Sequence, residues 1–106
     1  MFGGMGDLMK LMGQLPKMKE NMAKAQERAK TRTTSGEAGA GLVKVVANGG
    51  GEVLSITIDP EALKDAEALP VLIVSASNAA LSKGREILME ELRTAMGGLD
   101  LPPGLI

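Results

Sequence analysis

The sequence predicts an α+β fold, a helix followed by three strands and a second long helix (α-β-β-β-α) around a small antiparallel sheet. Three observations carry that prediction. The first third of the chain repeats its apolar residues in sevens, two β-branched runs flank an Asn-Gly-Gly-Gly turn, and a long stretch after Pro70 carries apolar rows at helical spacing. At 106 residues the chain suits a single domain, 1–106, because smaller pieces could not enclose a core.

The opening MFGGMG reads as a mobile leader (1–6), and Asp7 can cap a helix. Leu8, Leu11, Leu15, Met18, Met22, Ala25 and Ala29 then fall at alternating spacings of three and four. Such spacing puts all seven on one seam, as in a coiled coil. Lys10, Lys17 and Lys24 stand seven apart on a flank of that helix. Pro16 interrupts the pattern, since an internal proline removes a hydrogen bond and crowds the preceding turn at a cost of ~3 kcal/mol. A kinked or two-part helix ending near residue 31 is the expectation.

Residues 32–38 are the candidate for a first strand. LVKVVA (42–47) and EVLSITID (52–59) alternate β-branched and polar positions around Asn48, Gly49, Gly50 and Gly51, which predicts a hairpin. Asp59, Pro60 and Glu61 combine a capping oxygen, a pre-set φ and an acid at the positive end of a helix, so a short helix should start there. Pro70 opens the longest helix, about 71–96, stopped by Gly97 and Gly98. Two rows, Ile73–Ala80–Ile87 and Val74–Leu81–Leu88–Ala95, form its predicted buried side. The tail 99–106, LDLPPGLI after the glycines, is too short and proline-rich to be an element and is expected to be flexible.

Composition excludes several functions. The chain has no Cys and no His, so there is no thiolate nucleophile, no disulfide, and neither the usual general base nor the commonest metal ligand. Ser75, Ser77 and Ser82 have no histidine to activate them. The glycine-rich stretches 36–41 and 49–51 lead into strands rather than helices and lack the lysine of a nucleotide loop, so they read as turns. No catalytic residue, metal or cofactor is expected. No basic leader followed by an apolar run opens the sequence, and no stretch of ~18 apolar residues is present, so a cytoplasmic protein without membrane contact is expected.

Phe2 is the only aromatic residue, and the apolar supply is Ala, Val, Leu and Met, with eight Met. Aromatic rings normally supply the largest blocks of buried area. A monomer without them is short of hydrophobic stabilisation, which a second copy would make good, so a homodimer is expected.

The net charge of −1 argues against a nucleic-acid partner, but its distribution does not. Residues 1–33 hold seven cations against three carboxylates, a local charge of +4, and residues 34–106 hold five against ten, a local charge of −5. A basic working surface on an acidic body follows. On the first helix Lys17, Lys24 and Arg28 form a flank that Lys30 and Arg32 continue. On the last, Ser75, Asn78, Ser82, Arg85 and Arg93 form a polar stripe. Cations interleaved with short hydrogen-bonding side chains suit phosphate contacts. A solvated face is the plainer reading of the same residues. Glu86, Glu90 and Glu91, set among Lys83, Arg85 and Arg93, are expected to form ion pairs along their own helix.

GLVKV at 41–45, Asn48–Gly49, IxIDP at 56–60, Asn78 in a long helix and LPPG at 101–104, after the opening MFGGMGDLMK, together resemble the YbaB/EbfC nucleoid-associated family. The resemblance covers nearly the whole chain. It implies an intertwined homodimer joined through sheet and helices, with paired helices projecting like tweezers. It also implies binding of double-stranded DNA with low sequence preference through the first and last helices, in the nucleoid. Roles in nucleoid organisation, gene regulation, or recombination and repair alongside proteins of those pathways would follow. Pro16 departs from the long first helix of the family and predicts a bent or shortened arm. Pro70 departs too, standing where relatives tend to have a polar helical residue. The alternative is a protein-interaction or scaffolding dimer that holds a protein partner without direct DNA binding.

Overall fold

The computed structural model describes residues 5–97, and their side chains except those of Met5, Asp7, Leu8, Lys10 and Leu11. The order is α1 (Met5–Thr31), β1 (Thr33–Ala38), β2 (Val43–Asn48), β3 (Val53–Ile58), a 3₁₀ turn (Pro60–Lys64) and α2 (Ala68–Ala95). This is the expected α-β-β-β-α architecture. Residues 1–4 of the expected leader and the tail from 98 onward lie outside the described residues, while Met5 and Gly6 already belong to α1.

Helix α1 runs unbroken for 27 residues with Pro16 inside it, about 40 Å at the usual rise per residue. The two-part helix and the shortened arm are thereby corrected. Pro16 sits on an exposed stretch, where water can serve the carbonyl that a proline leaves without a donor. Among the described residues of the predicted seam, full burial within the protomer is confined to its C-terminal end. Ala25 and Ala29 are fully enclosed, Met18 is half-buried, and Leu15 and Met22 are exposed.

The sheet has the order β1-β2-β3 and is antiparallel throughout. Central β2 sends Val43, Val45 and Ala47 inward to full burial, as its alternation predicts. Gly36 and Ala38 of β1 lie opposite Val45 and Val43. A bulge at Val46/Ala47 sets Ser55 against Val46 and Val53 against Ala47, leaving Leu54 as the extra residue of β3. The turn before β3 is closed by Asn48, itself buried. Its Oδ1 accepts from the Gly50 and Glu52 amides at 2.9 and 3.1 Å, and its Nδ2 donates to Glu52 at 3.0 Å. Asp59 caps the 3₁₀ turn through the Glu61 amide at 2.9 Å, as its sequence context predicts.

Helix α2 begins at Ala68, two residues before Pro70, so the proline lies in the first turn, where its missing N–H costs nothing. Asp65 accepts from the Ala68 amide at 3.1 Å. The helix lies across β1 and β2 and reaches β3 least. The row pressed on the sheet is Ala76, Ala80 and Gly84, all buried, of which Ala80 alone belongs to a predicted row. Ile73, Leu81, Ile87, Leu88 and Ala95 are half-buried at its sides, and Val74 is 59 % exposed. The reason is proximity. A Cβ on Gly36 would lie 2.4 Å from the Ala80 amide nitrogen, and one on Gly84 would lie 2.4 Å from the Asn48 carbonyl oxygen. Backbones this close leave room only for Gly and Ala, so larger residues are displaced to the flanks.

Helices α1 and α2 run antiparallel. Arg28 meets Glu91, while Met18 and Met22 lie beside Ala95 and Met96. Gly49 ties α1 to the sheet by donating its amide to the Ala29 carbonyl at 3.0 Å. The half of α1 before Met18 therefore projects past Gly97, in a molecule of 69 × 23 × 17 Å. Along this arm Met9, Met12 and Leu15 are exposed.

Candidate nucleic-acid interface

The outward side of α2 is set by the inward one. With Ala76, Ala80 and Gly84 on the sheet, Ser75, Asn78, Ser82, Arg85 and Arg93 fall on the opposite face, and all are exposed. Ser82, Arg85, Glu86, Met89 and Arg93 line one shallow depression. The predicted polar stripe is thus continuous, with a methionine within it and one carboxylate at its side. Neither Arg85 nor Arg93 has a carboxylate within ion-pair distance among the described residues. Arg93 lies in the last turn, where the helix dipole favours a cation.

Lys17 on α1 is exposed and unpaired among the described residues. It lines a groove between the helices with Gln14, Met18, Asn21, Met22, Ala95 and Met96. No carboxylate lines this groove.

The other predicted cations of α1 each have a carboxylate partner. Lys24 meets Glu20 at 3.1 Å and Lys30 meets Glu27 at 3.7 Å, as neighbours along the helix. All four side chains are more than half exposed, and such pairs contribute only about 0.2–0.5 kcal/mol, so they exchange readily. Arg28 and Arg32 are held differently. Glu91 receives Arg28 Nε on one oxygen and Arg32 Nη1 on the other, both at 3.0 Å. Glu90 lies 3.5 Å from Arg32, through both Nη1 and Nη2. Hydrogen bonds from Arg28 and then Arg32 hold the Glu91 carboxyl below the usual glutamate range, and those to Glu91 and Glu90 raise Arg32 further.

These contacts correct the expectation that Glu86, Glu90 and Glu91 pair along α2. Glu90 and Glu91 reach across to α1, Lys83 donates to the Ser35 carbonyl at 2.9 Å, and Arg85 and Arg93 are left open. Helical spacing signals which residues could pair on one helix and carries no information about a second helix lying alongside. Of the nine candidates, Lys17, Asn78, Ser82, Arg85 and Arg93 have no ion-pair partner among the described residues, and Lys24, Arg28, Lys30 and Arg32 do. Among the described residues no group of three or more Asp or Glu is placed to hold a metal ion, and no helix is long and apolar enough to cross a membrane.

A family model described as the YbaB/EbfC DNA-binding family matches residues 5–99. A nucleoid-associated protein of Pelotomaculum thermopropionicum is 42 % identical over 99 residues, covering 92 % of this chain and 94 % of its own. One from Akkermansia muciniphila is 38 % identical over 101 residues, covering 93 % and 97 %. The crystal structure of an uncharacterized protein from Helicobacter pylori superposes with a TM-score of 0.64 at 29 % identity, covering 80 % of this chain and 98 % of that one.

Proposed function

Because the chain belongs to the YbaB/EbfC DNA-binding family, we propose that it binds duplex DNA as a homodimer, with low sequence preference and no chemistry of its own. The outward face of α2 supports this reading most directly. Arg85 and Arg93, flanking Ser82 and Met89, are long cations without carboxylate partners among the described residues, on a rigid helix beside the Lys17 groove. Cations there release counterions from backbone phosphates, while Ser82 and Asn78 donate hydrogen bonds to phosphate or sugar oxygens. No aromatic ring occurs in the chain beyond Phe2 to stack on or wedge between bases, which favours contacts to the backbone over reading of sequence.

A second copy is favoured by what one protomer leaves uncovered. Val53, Leu54 and Ile56 of β3 are exposed at an edge of the sheet, and Pro70, Val71, Val74 and Ser75 line an almost wholly apolar hollow at the start of α2. Exposed apolar surface on an open strand edge calls for a partner. Residence in the nucleoid extends the names of the relatives to this chain, and roles in its organisation, gene regulation, recombination or repair are part of the same proposal.

The test is a salt titration of binding to two unrelated duplexes. The logarithm of affinity should fall linearly with the logarithm of salt, by ~0.9 for each phosphate neutralised. The double reversal Arg85→Glu with Arg93→Glu should flatten that slope and weaken both duplexes alike, and Lys64→Glu, near the far end of the fold, should change little. Absence of binding to either duplex at low salt would refute the DNA reading and favour the scaffolding dimer, and binding unchanged by the double reversal would refute this surface.

A further inference from the structure

Resting on the DNA-binding reading above, we infer that Arg28 and Arg32 form a seat for one backbone phosphate, which Glu90 occupies in the free protein. Glu91 is the positioning residue beneath it. The two carboxylates are adjacent in sequence but unlike in setting. Glu91 has a side chain only 15 % exposed and holds both arginines at 3.0 Å, one with each oxygen. Glu90 is 63 % exposed and touches Arg32 alone, at 3.5 Å. Glu91 is thus enclosed and bridging, and Glu90 is a loose cover that can swing into water.

The guanidinium donors are divided in the same way. Arg28 uses Nε for Glu91, and its two Nη groups have no hydrogen-bond partner among the described residues. Arg32 spends its good contact on Glu91, and its Nη2 reaches only Glu90 at the limit of hydrogen-bond length. A guanidinium presents its donors as a planar fork that fits carboxylate and phosphate oxygens alike. A phosphate replacing Glu90 would take the Arg32 donors that Glu90 now holds, and Arg28, anchored on the same Glu91 carboxylate, has both Nη groups uncommitted for it. Charge fits as well. The four groups together are neutral, whereas Arg28, Arg32 and Glu91 without Glu90 carry one positive charge against the single negative charge of a phosphodiester. The seat contributes nothing to the field of the free protein and becomes cationic only on contact.

The experiment is Glu90→Gln in the full chain, with Glu67→Gln as a control of equal charge near the other end of α2. Binding to one duplex is measured across a range of salt, and folding is checked by circular dichroism. With the cover removed, the phosphate no longer competes with a carboxylate for Arg32, so binding should tighten by up to about five-fold, the worth of an exposed ion pair, with the salt slope little changed. Glu67→Gln should give a clearly smaller gain, and the gain from Glu90→Gln should vanish in an Arg32→Ala background. If wild type binds with salt dependence but Glu90→Gln behaves like Glu67→Gln, or its gain survives Arg32→Ala, the seat is refuted and DNA binding stands. If neither wild type nor Glu90→Gln binds duplex at low salt, both readings fall.

Discussion

Adding one methyl group at Gly36 should lift α2 off the sheet. A Cβ there would lie 2.4 Å from the Ala80 nitrogen, 2.5 Å from the Ala76 oxygen and 2.8 Å from the Ala79 Cβ. Carbon contacts settle at roughly 3.5–4.0 Å, so all three atoms must recede by about 1 Å. None is the free end of a flexible side chain. The helix has to move as a body, opening the contact between Ala76 and Ala80 and the fully buried Val43 and Val45. Overpacking of a well-filled interior costs about 1–3 kcal/mol, and three simultaneous clashes with rigid atoms place Gly36→Ala near ~3. Against this stands the ~0.5–1 kcal/mol that alanine gains over glycine in a regular element. A net loss of about 2 kcal/mol remains. Unfolding entropy of ~2.1 cal/mol/K per residue is about 0.22 kcal/mol/K for this chain, so Tm should fall by about 9 °C. The assay is thermal unfolding followed at the helical dichroism band, at equal protein concentration because the Tm of any self-associating protein depends on it. Gly13→Ala is the control. It lies within α1 with nothing within 4 Å of the added carbon and should raise Tm slightly. A Gly36→Ala protein melting within about 1 °C of wild type would refute the close approach of helix and strand.

Asn48→Ala leaves the Gly50 and Glu52 amides without their acceptor, so stability should drop by ~1–3 kcal/mol with faster hydrogen exchange at those two amides. Unchanged exchange there would show that the side chain does not hold the turn. Glu91 contributes through a carboxyl whose folded-state pKa is depressed by Arg28 and Arg32. That contribution is present above the unfolded value and is lost as pH falls through the folded one. Urea midpoints should therefore decline for wild type below about pH 4.3, the ordinary glutamate value, and decline less for Glu91→Gln. Parallel declines would mean that the carboxylate is not coupled to folding.

Much of the fold was legible locally. The heptads of α1, the alternation of Val43, Val45 and Ala47, the Asn48 turn and the Asp59 cap depend on neighbours within a few residues, and each element stands close to where its pattern puts it. The stripe Ser75, Asn78, Ser82, Arg85 and Arg93 was legible for the same reason, since residues three and four apart share a helix face. Pro16 misled because a local penalty was weighed without the rest of the helix. One lost hydrogen bond on an exposed flank did not end α1.

Two matters were decided only when the elements came together. One is which face of α2 meets the sheet. Periodicity favours rows of Ile and Leu, but the nearness of β1 selects Ala76, Ala80 and Gly84, because Gly36 brings two backbones within a distance that no larger side chain permits. The other is which cations are free. The partners of Arg28 and Arg32 lie 63 and 59 residues away on another helix, and no spacing along one helix encodes that encounter. Sequence by itself determines the faces of each element, because those follow from bond geometry and a fixed repeat. Only the tertiary structure decides what each face meets, because burial and ion pairing depend on distances between segments remote along the chain.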